Sequence, residues 1–237
     1  MAPPQNQRRR EALADAAIAI LGTTGIHALS HRAVDERAEL PAGTAANYFP
    51  TRDELLAAAA RRVFGLHVAA MEAADSQVAG AVGPGGLAEL IGGALYDAAA
   101  RHRTRYLAIY ELTLEATRRP ALAEALSGMA AATLDVTIGQ HRALGLDTSP
   151  AQVQALITLF SGVLLTLAAG PPEAITPNAT GALARCLVAG VLATVPGLPT
   201  SAPLPGDSRP SGPQQPPVAP RRSGHGAALG HGPDLRQ

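Results

Sequence analysis

Apolar positions in the first 56 residues recur at helical spacing, and turn signals cut them into short segments. Leu13, Ala16, Ala17, Ile20 and Leu21 share one face of a first helix expected from about Arg10 to Gly22, and Gly25 supplies the loop after it. Ser30 has a hydroxyl that can accept an orphan backbone N–H, so it is placed to cap a second helix with apolar positions Ala33, Val34 and Ala38. The pattern breaks at Leu40-Pro41. Proline disfavours helical geometry at the preceding residue and suits a first helical turn, so Pro41 is expected to end the second helix and open a third, from about Ala42 to Phe49. Pro50 stops that short helix. Thr51-Arg52-Asp53-Glu54 has the form of a capping box and predicts a long helix from Thr51 to about Val78, burying Leu55, Leu56, Val63, Phe64, Leu66, Val68 and Met71. Two helices joined by a tight turn, the second slender enough to enter a groove, describe a helix-turn-helix.

Beyond it the chain stays helical in pattern. Gly80 to Gly86 breaks any helix; Leu87 to Arg101, Arg103 to Arg119 and Ala121 to about Leu144 then read as successive helices, with Pro120 between the last two. The turn from Gly145 to Pro150 leads into a helix to about Ala168, and Thr180 opens another to about Val195. These last two are apolar nearly all round. A helix apolar on every face must be covered on every face, and too few other helices exist to cover both, so the excess surface suggests a subunit interface. From Pro196 the chain is rich in Pro, Gly and Ser without periodicity and is expected to be disordered. The predicted class is all-α: a flexible basic arm over residues 1–9, a helix-turn-helix domain over 10–56, a helical body over 57–195 and a tail over 196–237.

The run from Arg10 to Leu56 resembles the DNA-binding domain of the tetracycline-repressor-like (TetR) family of bacterial regulators. The resemblance rests on the first-helix positions above, then Gly25, Leu29-Ser30, Arg32, Val34, Arg37-Ala38, Gly43-Thr44, Tyr48-Phe49 and Thr51 to Leu55, in that order and spacing. Three positions depart from the family pattern: Glu39 stands where a turn glycine is usual, Pro41 where a capping Ser or Thr is frequent, and Ala46 where a tyrosine is common. In the body the likeness is looser, resting on helix order and on Glu111 to Pro120. The resemblance implies a ligand-responsive repressor that binds a palindromic operator in double-stranded DNA as a homodimer, paired through a four-helix bundle of its last two long helices. The competing reading is a helical interaction module that has lost specific DNA binding.

Charge does not advertise nucleic acid. The formal net charge of the 237 residues is +0, every Lys+Arg position is arginine, and in the head the arginines and carboxylates nearly balance. Placement decides instead, since phosphate contacts need only a few arginines on one face. The single cysteine, Cys186, excludes an intrachain disulfide and a Cys-rich zinc site and fits a reducing cytoplasm. Arg8-Arg9-Arg10 mimics a twin-arginine signal, but Glu11 and Asp15 interrupt the apolar run behind it. Ala155 to Ala169, the longest apolar stretch, is shorter than a bilayer of about 30 Å requires. No phosphate loop, nucleophile elbow or metal signature is present, so no enzyme, cofactor or membrane partner is expected.

The resemblance makes Arg32, Thr44, Tyr48 and Arg52 candidates for DNA contact. Arg32 can bond phosphate or guanine, Thr44 phosphate or a thymine methyl, and Tyr48 and Arg52 the backbone. Asn47 could pair with adenine, and the small Ala42 and Gly43 allow close approach to phosphate. For an effector pocket the candidates are the aromatic, Met and His residues of otherwise aliphatic helices: Phe64, His67, Met71, Tyr96, Tyr106, Tyr110, Met129, His141 and Phe160. His67, His102 and His141 have no carboxylate at ligand spacing on the same turn, so no metal site is expected.

Overall fold

The computed structural model describes residues 4–75 and 82–194, and all regular structure among them is helical. The tail and the expected end of the long helix near Val78 lie outside the described residues. The head comprises α1 (Pro4–Thr24), a 3-10 turn at Ile26–Ala28, α2 (His31–Arg37), α3 (Thr44–Tyr48) and the start of α4 (Arg52–Asp75). The body adds α5 (Pro84–Tyr96), α6 (Arg103–Ala116), α7 (Pro120–Ala143), α8 (Pro150–Ala169) and α9 (Pro177–Thr194).

Several boundaries differ from the sequence reading. The first helix begins at Pro4 rather than about Arg10, so Arg8 and Arg9 belong to α1 and not to a flexible arm. Pro41 does not open α3. It sits in the turn, and its carbonyl accepts the Thr44 N–H at 3.1 Å and the Thr44 hydroxyl at 2.5 Å, so α3 starts at Thr44. α5 begins at Pro84 inside the expected loop, because Pro84 at N1 needs no N–H partner. α9 starts at Pro177, three residues before Thr180. Between α5 and α6 the helix breaks at His102, φ −122, as the sequence reading placed it. One wide turn over Asp97–Arg101 lets the His102 N–H reach the Asp97 carbonyl at 3.1 Å.

The core of the head does not close on itself. Leu13, Leu21, Leu29, Val34, Phe49, Leu55 and Leu56 are continuous with Ala108, Leu112 and Leu122 of α6 and α7. A second cluster joins α5, α8 and α9 around Leu87, Leu156, Leu187 and Val188, and a third gathers Leu95, Leu164 and Ile175. Where α5 crosses α9, a Cβ on Gly92 would lie 3.0 Å from the Gly181 Cα, so two glycines permit the close approach.

α7 and α8 are each long and apolar enough, by length and composition, to cross a bilayer. α8 is longer than its uninterrupted apolar run, Ala155 to Ala169, because it starts at Pro150 as expected: Ser149 caps the Gln152 N–H at 3.2 Å while the Gln152 amide oxygen takes the Ser149 N–H at 2.9 Å. Yet α8 buries Val153, Ala155, Leu156, Leu164 and Ala168 against its neighbours, and α7 carries exposed Glu124, Asp135 and Arg142.

Candidate nucleic-acid interface

α2 begins as its sequence dictates, with the Ser30 hydroxyl accepting the Ala33 N–H at 3.1 Å. It ends because Glu39 turns left-handed at φ 55, the position where a glycine would sit without strain. The following turn is held by a residue that sequence reasoning missed. Asp35, 2% exposed on α2, accepts the Gly43 N–H at 2.8 Å and the Ala45 N–H at 2.6 Å. The Gly43 N-cap offers no side chain, at φ 89, so Asp35 supplies the cap of α3 from the helix before. An Asp eight and ten residues ahead of its donors leaves no local signal; only the fold brings them together.

Three further bonds fix α3 in the head. A His31 Nε2–H donates to the Phe49 carbonyl at 2.6 Å, joining the start of α2 to the end of α3. Arg52 turns inward, donating to the Ile26 carbonyl at 2.7 Å and to the Leu29 carbonyl, so its guanidinium braces the loop before α2. Arg10 lies over the Phe49 ring at 4.9 Å and the Tyr48 ring at 5.9 Å. The capping box is present: Thr51 Oγ accepts the Glu54 N–H at 3.1 Å and the Glu54 carboxylate accepts the Thr51 N–H at 3.3 Å.

These contacts leave Arg32, Ala42, Gly43, Ala46 and Asn47 exposed on one surface, with Thr44 and Tyr48 half-buried beside them and Ala45 and Phe49 buried beneath. A groove of about 490 Å³ runs between α2 and the turn, lined by His31, Arg32 and Gly43 among others. Arg32 pairs with Glu36 at 2.8 Å, both side chains mostly in solvent, so the pair is readily exchanged for a phosphate. The arrangement is a short, rigidly capped helix with small residues at its start, beside an arginine and an amide, and this defines a helix-turn-helix DNA-binding head.

The body grips that head through α6. The Glu111 carboxylate accepts the Ile26 N–H at 2.9 Å, beside Gly25 at φ 83. A Cβ on Gly22 would lie 2.0 Å from the Thr104 carbonyl oxygen, so α1 and α6 touch backbone to backbone. At the far end, Arg119 donates to Asp53 on α4 at 2.5 Å and to Glu115 at 2.5 Å. The hydrogen bond from Arg119, and then that from Arg118, hold the Glu115 carboxyl below its usual range. Arg62 clamps Asp15 with two bonds of 2.8 and 2.9 Å, tying α4 to α1.

Of the effector-pocket candidates the structure brings some together and not others. His67 Nδ1 lies 3.1 Å from the Tyr106 hydroxyl with the rings edge to face at 5.8 Å. Tyr110 donates to the Ser161 carbonyl at 2.7 Å. Burial lowers the pKa of His67, helped by Arg105, and raises that of Tyr106 and Tyr110. Tyr96, Tyr106, Tyr110 and Phe160 pack on the third cluster, whereas Met129 packs on the core shared with the head. Phe64 and Met71 are half-buried and belong to none of the three clusters. His141 serves another purpose, meeting the Thr148 hydroxyl at 2.8 Å across the turn into α8. His102 has a carboxylate neighbour that spacing did not reveal, Asp97 at 3.5 Å, but no group of three such ligands occurs among the described residues.

Residues 13–59 match the family described as bacterial regulatory proteins, tetR family, and residues 82–194 match the tetracyclin repressor-like C-terminal domain. The chain therefore belongs to the TetR family of transcriptional regulators, as the head resembled from sequence. Among solved structures it is similar to the multidrug binding protein EbrR complexed with imidazole, at 30% identity and TM-score 0.53 over 82% of this chain and 97% of that one. EbrR complexed with ethidium aligns at 27% identity and TM-score 0.56, over 78% of this chain and 99% of that one. A transcriptional regulator from Rhodococcus sp. Rha1 shares the fold at TM-score 0.63 and 20% identity, over 79% of this chain and 99% of that one. No curated protein matches the chain by sequence.

Proposed function

We propose that this chain acts in the bacterial cytoplasm as a homodimeric repressor, released from a palindromic operator by a small molecule. The observation that carries the reading is the Asp35-capped α3, rigid on its inner side and bare at Ala42, Gly43 and Asn47 on its outer side. In the major groove Asn47 reads a base edge, Arg32 leaves Glu36 for phosphate or guanine, and Thr44 and Tyr48 touch the backbone. Arg52 acts from behind, by fixing the loop that aims α2. Two heads are joined through α8 and α9, where Leu159, Leu165 and Leu183 are exposed at 47%, 43% and 39%.

The effector reading rests on α6. The helix presents Tyr106 and Tyr110 to the body and Glu111 to the head, so a ligand that shifts it changes the spacing of the heads. The likeness to EbrR and the aromatic side chains favour a flat, lipophilic effector. A coupling of about 1 to 3 kcal/mol would change DNA affinity by roughly 5- to 150-fold.

The test is pull-down of fragmented genomic DNA by the purified protein across a series of salt concentrations. A shared short palindrome supports the regulator. Weak, steeply salt-dependent binding with no common sequence supports the alternative of a helical module without specific DNA binding, which Ala46 favours by removing a phosphate contact. A Hill-type loss of palindrome binding on adding ethidium would identify the effector class.

A further inference from the structure

A second groove, of about 380 Å³, opens on the head between α1 and α4, outside the surface formed by α2 and α3. Phe49 and Ala58 line it below, and Arg10, Arg61 and Arg62 line its walls. Gly65 also lines it, beside open space: a Cβ there would meet nothing within 4 Å. The three guanidinium groups differ in their commitments. Arg62 is spent on Asp15. Arg61 is exposed and makes no hydrogen bond or ion pair among the described residues. Arg10 has ring faces for partners and no carboxylate. The lining holds a single carboxylate, Glu11, which accepts the Gln7 amide at 2.9 Å.

Two guanidinium groups without a carboxylate partner, lining one groove beside an apolar floor, form a receptor for an anion, because each retains N–H donors that no acceptor among the described residues takes. The position selects the anion. Arg10 lies over the ring of Tyr48, the last residue of α3, so the groove adjoins the helix that is read as entering DNA. We propose that Arg10 and Arg61 bind a backbone phosphate of the DNA flanking that segment, an anchor outside the helix-turn-helix. The site rests on the reading that α3 enters DNA.

The experiment measures binding of the full chain to labelled mixed-sequence duplexes of about 40 base pairs, long enough for two half-sites, as a function of salt. Each dimer carries the site twice, so replacing Arg61→Gln should lower the slope of log affinity against log salt by about 2, and adding Arg10→Gln should lower it little further because the two arginines share one phosphate, while Arg61→Lys keeps it. Arg61 is a surface residue, so its variant folds even if Arg10→Gln loosens Phe49. An unchanged slope for Arg61→Gln, with wild-type binding intact, overturns the site and leaves the regulator reading standing. Failure of the wild-type chain to bind duplex at any salt overturns both. In a parallel arm, inorganic phosphate is titrated by calorimetry. Loss of phosphate binding in Arg61→Gln with no change in the DNA slope would make the groove a small-anion site and overturn the assignment to DNA.

Discussion

In the head, Asp35, His31 and Arg52 all turn inward to backbone donors or carbonyls, so the groups left outside are small or polar. On α8 and α9 the reverse holds: Leu159, Leu165 and Leu183 stand outside, and nothing among the described residues covers them. On the proposed reading the contrast has a physical reason: a DNA-binding surface needs a rigid backbone and desolvates few apolar atoms, whereas a dimer interface gains its free energy from the apolar area it removes from water. The two regions therefore invite opposite perturbations.

The largest effect is expected where charge meets the apolar face. Leu165→Glu with Leu183→Glu would bury unpaired carboxylates on both protomers and weaken the dimer on the order of a thousandfold, about 4 kcal/mol, read by sedimentation. A wild-type chain already monomeric at micromolar concentration would break the comparison. Next comes Asp35→Ala, which orphans the Gly43 and Ala45 N–H groups. It should cost about 3 kcal/mol in chemical denaturation and abolish operator binding, with dimerisation unchanged.

Acidification should act through two buried histidines. Burial keeps His67 and His141 at lowered pKa, so the unfolded chain binds more protons than the folded one. Their contribution is full above the unfolded pKa of about 6.5 and is lost as the pH falls through the folded values. Stability should fall between pH 7 and pH 5, and His67→Gln should flatten part of that fall in thermal melts. Glu115, shifted down by Arg119 and Arg118, loses its share only at lower pH, below the usual carboxylate range. The smallest effect is a gain. Glu39→Gly relieves a left-handed backbone at φ 55 at the cost of chain entropy, for a net stabilisation of about 0.5 kcal/mol in denaturant titrations.

Much of the head was legible because its signals are local. Ser30, Thr51 with Glu54 and the periodic leucines act within one helical turn of the groups they satisfy, and the structure keeps all of them. Glu39 in place of a glycine was legible as a departure, and the backbone shows what it costs. The start of α3 was misplaced because its cap comes from Asp35, one helix away, and no local pattern reports a bond across eight residues. The same reason hid the inward turn of Arg52 and the bonds from Glu111 and Arg119, which span 26, 85 and 66 residues.

In the body, helix order and the excess apolar surface of α8 and α9 followed from periodicity. Which aromatic residues meet did not: His67 and Tyr106 lie 39 positions apart, and only the packing of α4 on α6 joins them. By itself the sequence determined the helices, the helix-turn-helix order and the apolar face, since propensity, capping and periodicity act over a few residues. Tertiary structure alone decided which arginines face outward. A guanidinium on a helix can reach solvent, a carbonyl or a carboxylate, and the neighbours that the fold brings to it make the choice: Leu29 and Ile26 for Arg52, Asp15 for Arg62 and, among the described residues, none for Arg61.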